Sequence, residues 1–244
     1  MSNNLSVIIP TYNEKENIGP LIVEIMHYVN PKEIIVVDDA SPDGTARVAQ
    51  SLEKRIPCIN VQHNPVRRGL TASIQQGIDV AQSKYIAWLD ADFSHPPYLL
   101  KQMRDEIKGA DILVGSWLCH GGKDKRTEAV TRLFSFFINT VCWIAFGTRI
   151  RTYTSGYIFA RKSILRRFRL TGNYGEYCID LLVRSLAAGA IIKEIPFICT
   201  SRVSGVSKTG TNVIDYIGKG WLYIKLVTEL IFQGYWYTAR RWKT

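Results

Sequence analysis

The sequence predicts an α/β fold: a mostly parallel sheet flanked by helices on both faces, with amphipathic helices in the second half suited to a membrane interface. Two observations carry the sheet. Short, continuous apolar runs alternate with segments of helical spacing through the first half, and strands apolar throughout are strands buried on both sides. Three of these runs stop at polar or acidic residues: Thr11-Tyr12-Asn13-Glu14, Asp38-Asp39 and Asp90-Ala91-Asp92. In open parallel sheets the ligand crevice lies outside the carboxyl ends of the strands. The pattern therefore gathers carboxylates on one rim.

The elements follow in order. Ser6 to Pro10 reads as a buried strand, and Ile18 to Val29 as a helix with apolar residues at Ile18, Leu21, Ile22, Ile25, Met26 and Val29. Ile34 to Val37 is the second strand. Ser41-Pro42-Asp43-Gly44-Thr45 is a turn leading into a helix that ends near Arg55. Ile59 to Gln62 is a weaker strand, followed by a helix from about Gly69 to Gln82. Tyr85 to Leu89 is the next strand. Pro96-Pro97 opens a helix running to about Lys108, because proline suits a first helical turn. Ile112 to Gly115 closes the regular part.

The second half is less regular. Residues 116–128 read as a flexible basic loop. Val130 to Phe146 is apolar and aromatic with Arg132, Ser135 and Asn139 inside, and is short for a spanning helix of about 20 residues. A core helix is the other reading of that stretch. Ser155 to Ala160 and Ile191 to Phe197 read as strands, with a helix over Ile179 to Ala188. The segment Val213 to Tyr237 mixes aromatic residues with Asp215, Lys219, Lys225 and Glu229 and closes on Arg240-Arg241-Trp242-Lys243. That pattern suits a helix lying in a membrane interface. The expected division is a main domain over 1–210, with an interface helix at about 126–146, and a basic amphipathic tail over 211–244.

Composition narrows the class. The chain has 244 residues, 46% hydrophobic and 21% charged, which excludes a disordered, collagen-like or polytopic membrane protein. The net charge of +10 is uneven. Residues 1–122 hold 11 Lys and Arg against 14 Asp and Glu, whereas residues 123–244 hold 20 against 7. A basic half suits phosphates, an anionic lipid surface or nucleic acid. No nucleic-acid recognition motif accompanies it, so no nucleic acid is expected. The five cysteines are scattered with no CxxC pair, which fits free thiols in a reducing compartment and argues against zinc. The N-terminus lacks a basic n-region and its apolar run ends at Pro10, so no signal peptide is expected.

Asp90 and Asp92 are the central chemical signal. Two carboxylates one residue apart at a strand end can hold Mg²⁺ or Mn²⁺ against a diphosphate, because hard cations take oxygen ligands. Read alone, the pair is more often two solvated turn or N-cap aspartates than a metal site. Asp38-Asp39 has the same two readings: an ordinary turn, or a carboxylate taking N–H donors from a base or a ribose hydroxyl. Tyr12 could stack on a base, with Glu14 accepting hydrogen bonds beside it. His27, His63 and His120 read as surface or loop residues, and His95 as a residue that shapes the turn after Asp92.

Taken together and in order, Pro10 to Glu14, Val37 to Thr45, Asn64 through Arg68-Gly69-Leu70, Leu89 to Pro97, Thr154 to Tyr157, Lys193 to Pro196 and Arg202 to Lys208 resemble the family 2 glycosyltransferases of GT-A fold. More narrowly they resemble dolichol- or polyprenol-phosphate mannose synthases and their glucosyl relatives. The resemblance covers roughly residues 4–210.

The resemblance implies that Pro10, Tyr12, Glu14, Val37 and Asp39 line a nucleotide pocket. Asp90, Ala91 and Asp92 would meet the sugar-diphosphate, with Asp90 and Asp92 at the metal. Asp92, Arg202 and Lys208 would carry catalysis, Arg202 and Lys208 as phosphate clamps. Arg132, Ser135 and Arg202 would hold the acceptor phosphate. The implied reaction is inverting transfer of a hexose from a nucleotide-sugar to a dolichyl or polyprenyl monophosphate. Ser41-Pro42-Asp43 and Ser94-His95-Pro96-Pro97 lean toward GDP-mannose, with UDP-glucose or another UDP-sugar as the alternative. A peripheral location on the cytoplasmic side of an anionic membrane follows, held there by the chain's own helices or by a membrane-anchoring subunit. A non-catalytic nucleotide- or lipid-binding subunit is the reading of another class, and a saccharide or protein acceptor a further one.

The chain departs from its relatives at three places. Gly115-Ser116-Trp117 stands where they carry Gly-[Ser/Thr]-Arg, and Lys123, Lys125 and Arg126 are the candidates to replace that arginine. Cys178 and Asp180 stand where relatives often carry glutamine and glutamate. Ser94 stands where some carry a glutamine.

Overall fold

The computed structural model describes residues 4–202 and 213–236. Its centre is a seven-stranded sheet. In chain order the elements begin β1 (Leu5–Thr11), α1 (Lys15–Val29), β2 (Glu33–Asp38), α2 (Thr45–Glu53), β3 (Ile59–His63), α3 (Leu70–Val80), β4 (Tyr85–Trp88), α4 (Leu99–Glu106) and β5 (Ile112–Ser116). They continue with β6 (Lys123–Asp124), α5 (Ala129–Phe146), β7 (Ile158–Arg161), α6 (Lys162–Leu165), α7 (Tyr177–Ala187), β8 (Ile192–Pro196), β9 (Ile198–Cys199) and α8 (Val213–Phe232).

The sheet runs β3-β2-β1-β4-β7-β5-β8. Only β7 is antiparallel to its neighbours, β4 and β5. Side chains alternate between two cores, as a pleated strand requires. Val7, Ile9, Ile34 and Val36 pack on one face with Ile18, Leu21, Ile22 and Met103 of α1 and α4. Ile8, Ile35 and Val37 pack on the other with Ile74 and Ile78 of α3 and with residues of α5, α7 and α8. Both faces are covered, which is why the strands read as continuous apolar runs. At Gly77 the fit is tight: a Cβ there would lie 2.5 Å from Cγ2 of Ile8.

Strands β2, β1 and β4 are adjacent, so the three polar turns that follow them share one rim. Each turn holds a non-glycine residue in the left-handed region: Asn13 at φ 56°, Ala40 at 60° and Phe93 at 64°. Such backbone is disfavoured for L residues with a Cβ, and it persists where the surroundings over-determine it.

The second half departs from the sequence expectation at residues 116–128. Residues 116–128 are not a free loop. Lys123 and Asp124 pair with Ile198 and Cys199 in a separate two-stranded sheet. Thr127 donates its backbone N–H to Ser201 Oγ at 2.9 Å, and Ser201 donates to Glu128 Oε2 at 2.9 Å. Helix α5 buries Ile138, Asn139, Cys142 and Phe146 and exposes Val130, Leu133, Phe136, Phe137 and Ile144. By length and composition alone it is long and apolar enough to cross a membrane. Helix α8 lies against it, with Phe134 edge-on to Tyr223 at 5.9 Å, and sends Tyr223, Val227 and Leu230 into the same core.

Candidate active site

The polar rim opens into a crevice of about 900 Å³. Pro10, Tyr12, Glu14, Asp39, Asp90, Ala91, Asp92, Ser135 and Arg202 all line it. Two expected residues do not. Val37 is fully buried, because its strand position turns the side chain toward the α3 face of the sheet. Arg132 is exposed on α5, whereas Thr131 and Ser135, one helical turn apart, face the crevice. Lys208 lies outside the described residues, as does the Arg240-Arg241-Trp242-Lys243 end.

The turn after β2 is the scaffold for the turn after β1. Ser41 Oγ, Thr45 Oγ1 and Asp43 Oδ2 accept the backbone N–H groups of Asn13, Glu14 and Lys15 at 3.0, 2.9 and 3.1 Å. Burial opposes ionisation of Asp43, but hydrogen bonds from Thr45 and Lys15 outweigh it and hold its pKa below the usual carboxylate value. Asp38 is fully buried and structural: it accepts from Thr11 Oγ1 at 3.2 Å and from the Ser41 N–H at 3.1 Å, and it meets His63 Nδ1 at 3.0 Å. His63 is therefore tied to a strand end. Asp39 takes the N–H groups of Arg68 and Gly69 at 2.7 and 2.8 Å, closing the loop before α3 over the crevice.

The Asp90-Ala91-Asp92 turn is braced by His95. Its Nδ1 accepts the Asp90 N–H at 3.1 Å, which assigns the ring proton to Nε2, and the ring stacks on Tyr157 at 5.0 Å. His95 thus shapes the turn. Dehydration in the crevice, with Asp92 and Glu14 nearby, raises the Asp90 pKa even though its side chain is 45% exposed by surface area. Asp92 goes the other way. Burial would raise it, but Arg202, with Nη2 at 2.8 Å from Oδ2, and the Ser94 N–H, at 3.0 Å from Oδ1, bring it below the usual range. Arg202 also lies 4.0 Å from Glu14 Oε1.

Two carboxylates of this kind are an oxygen donor set suited to a hard divalent cation. Among the described residues no group of three or more His, Cys, Asp or Glu could hold a metal by itself. Asp90 and Asp92 are the residues of the rim that would supply oxygen ligands to such a cation, and they do not make a complete site by themselves.

The crevice is also lined by Thr131, Phe134, Ser135 and Ile138 of α5 and Tyr223 of α8. Of the three candidate replacements for the missing arginine, Arg126 lines the crevice. Its guanidinium lies 5.0 Å from the Trp117 ring, and Asp124 clamps it through Nε–Oδ1 at 2.9 Å and Nη2–Oδ2 at 2.6 Å. Sequence spacing does not single out Arg126 among its basic neighbours; Thr131, Tyr177, Tyr223 and Arg67 also line the crevice, and no sequence reading assigned any of them a role there.

The sequence profile described as "Glycosyl transferase family 2" matches residues 6–169. The chain is 36% identical over 223 residues to polyprenol monophosphomannose synthase of Mycolicibacterium smegmatis, covering 87% of this chain and 84% of that protein. It is 32% identical over 219 residues to dolichol-phosphate mannosyltransferase of Pyrococcus furiosus, covering 87% of this chain and 61% of that longer protein. It is 29% identical over 219 residues to undecaprenyl-phosphate mannosyltransferase of Micrococcus luteus, covering 85% and 88%. Glucosyl-3-phosphoglycerate synthase of Mycobacterium tuberculosis, solved with UDP, shares the fold at a TM-score of 0.70 and 17% identity over 93% of this chain and 79% of that one. The same enzyme solved with Mn²⁺, UDP-glucose and phosphoglyceric acid gives 0.71 at 16% identity, covering 93% and 79%. On the profile match and the identity to these relatives, the chain belongs to glycosyl transferase family 2.

Proposed function

We propose that this protein transfers mannose from GDP-mannose to a polyprenyl or dolichyl monophosphate, with inversion at the anomeric carbon. The observation that carries the reading is a single crevice with two unlike ends. Acidic strand ends and Arg202 suit a sugar-diphosphate, and an apolar, hydroxyl-bearing end between α5 and α8 suits a lipid phosphate. The relatives named for mannosyl transfer to such lipids support it.

The acceptor phosphate is already an oxyanion at neutral pH, so the chain has little proton to remove. Its oxygen forms the bond to the anomeric carbon as the bond to the donor diphosphate breaks, and the nucleoside diphosphate leaves. The chain's task is positioning and charge neutralisation. Tyr12, Glu14 and Asp39 hold the nucleoside. Asp90 and Asp92 would hold Mg²⁺ or Mn²⁺, which would supply charge neutralisation at the leaving diphosphate. Arg202 and Lys208 bind phosphate oxygens as the fork and the point charge suited to them. Ser135, Thr131 and Arg126 hold the acceptor phosphate, with Arg126 in place of the absent arginine at Trp117.

The reading extends to the membrane. Leu133 (71% exposed), Phe136, Phe137 and Ile144 of α5 and Trp221 and Phe232 of α8 present large apolar side chains at the surface. With the basic second half and the segment 211–244, they suit peripheral attachment to an anionic cytoplasmic leaflet, alone or with an anchoring subunit.

The test is incubation with Mn²⁺, polyprenyl phosphate and labelled GDP-mannose or, separately, UDP-glucose, counting label in the organic phase. Lipid label from GDP-mannose that is lost in Asp92→Ala is the expected result. Label from UDP-glucose alone would reassign the donor. Nucleotide binding without lipid label in either arm would point to another acceptor.

A further inference from the structure

We propose that Arg67 reads the donor's nucleobase and selects guanine, an inference that rests on the transferase reading and deepens it. Arg67 and Tyr12 line the same end of the crevice, and the Arg67 Cζ lies 4.1 Å from the centre of the Tyr12 ring. Both are held there by backbone clamps. Asp39 accepts the N–H groups of Arg68 and Gly69, which pins the peptide immediately after Arg67. Ser41, Asp43 and Thr45 pin the turn that carries Tyr12. The guanidinium covers the Tyr12 ring face, so a base that stacks on that face takes its place and moves the fork to the base's edge, where its N–H groups lie in the base plane.

The chemistry of the fork decides the base. Guanine presents O6 and N7 as adjacent acceptors on one edge, which a planar guanidinium matches with two parallel N–H donors. Adenine replaces O6 with an amino donor. Uracil separates its two carbonyls by an N–H. Guanine's remaining edge carries N1–H and the N2 amino group, both donors. They suit the Asp39 carboxylate, whose oxygens each keep a lone pair after taking one backbone N–H. Arg67 and Asp39 therefore match guanine on two edges while Tyr12 offers its face.

The experiment is calorimetric titration of the full chain with GDP, UDP and 7-deaza-GDP, each with Mn²⁺, for the wild type, Arg67→Ala and Arg67→Lys. The wild type should bind GDP about tenfold or more tighter than UDP, and 7-deaza-GDP should lose most of that margin because its N7 acceptor is gone. In Arg67→Ala, GDP affinity should fall about tenfold, UDP affinity should change less than about twofold, and GDP and 7-deaza-GDP should become equal. Arg67→Lys should not restore the difference, since an ammonium lacks the fork. The inference is overturned if Arg67→Ala weakens GDP and UDP alike, if it leaves GDP unchanged, or if the wild type prefers UDP. A wild type that binds none of the three nucleotides would overturn the transferase reading as well.

Discussion

Arg202 and Asp92 meet across the crevice with Nη2 2.8 Å from Oδ2, joining the segment after β9 to the turn after β4. Asp92 is nearly buried and Arg202 about three-quarters so. The pair ties together a carboxylate proposed for the cation and a cation proposed for the diphosphate.

Asp92→Asn should lower kcat/KM for lipid mannosylation by at least about 100-fold, the scale on which a group aimed at transition-state charge acts. Arg202 then loses its 2.8 Å ion pair and keeps Glu14 at 4.0 Å, so the variant should also melt at a lower temperature. Steady-state assay and thermal unfolding check the two effects. Near-wild-type kcat/KM would remove Asp92 from the proposed machinery.

Arg126→Ala should raise KM for the lipid phosphate about 10- to 100-fold, as for loss of a charge-assisted hydrogen bond. KM for the nucleotide-sugar should stay within about twofold if Arg126 serves only the acceptor end. Initial rates with each substrate varied in turn distinguish this from a general loss of activity.

The Asp124–Arg126 pair has a signed pH signature. Burial would raise the Asp124 pKa, but Arg126 outweighs it and holds the value below that of an ordinary carboxylate. The stability so contributed is fully present above the unfolded pKa of about 3.9. It is lost as pH falls through the lower folded value. In urea unfolding, the gap between wild type and Asp124→Asn should hold from pH 7 to about 5 and close below about 4. A gap that widens in acid would contradict the assignment.

Gly175 couples the crevice to α8. A Cβ at this position would sit 2.6 Å from Tyr223 Oη. Gly175→Ala should cost about 1–3 kcal/mol through overpacking. Adding Tyr223→Phe removes the opposing oxygen, so the double variant should be more stable than the sum of the single effects. Denaturant melts of the four proteins give the coupling.

Leu133→Glu with Phe137→Glu should reduce co-sedimentation with vesicles of anionic lipid, while leaving the melting temperature near that of the wild type because both side chains are exposed. Unchanged sedimentation would remove this face of α5 from the proposed membrane contact.

Much of the fold was legible because its signals are local. A strand buried on both faces must be apolar throughout, and Val7-Ile8-Ile9 and Ile34-Ile35-Val36-Val37 are. The two-stranded pairing within the basic stretch 116–128 was not legible, for the opposite reason. Lys123 and Asp124 become a strand only by pairing with Ile198 and Cys199, and two-residue strands carry no periodicity of their own.

The sequence by itself determined the α/β alternation, the acidic strand ends and the family, since each is written in short contiguous runs that read the same whichever strands come to pair. Only the tertiary structure decided which side chains reach the crevice. Val37 turns into the core and Arg132 to the surface, while Arg126 is drawn in by Asp124 and Trp117. Arg67 comes to Tyr12 through a loop held by Asp39. These directions are set by strand pleat, helix phase and loop closure between residues far apart in sequence, and such contacts exist only once the chain has folded around them.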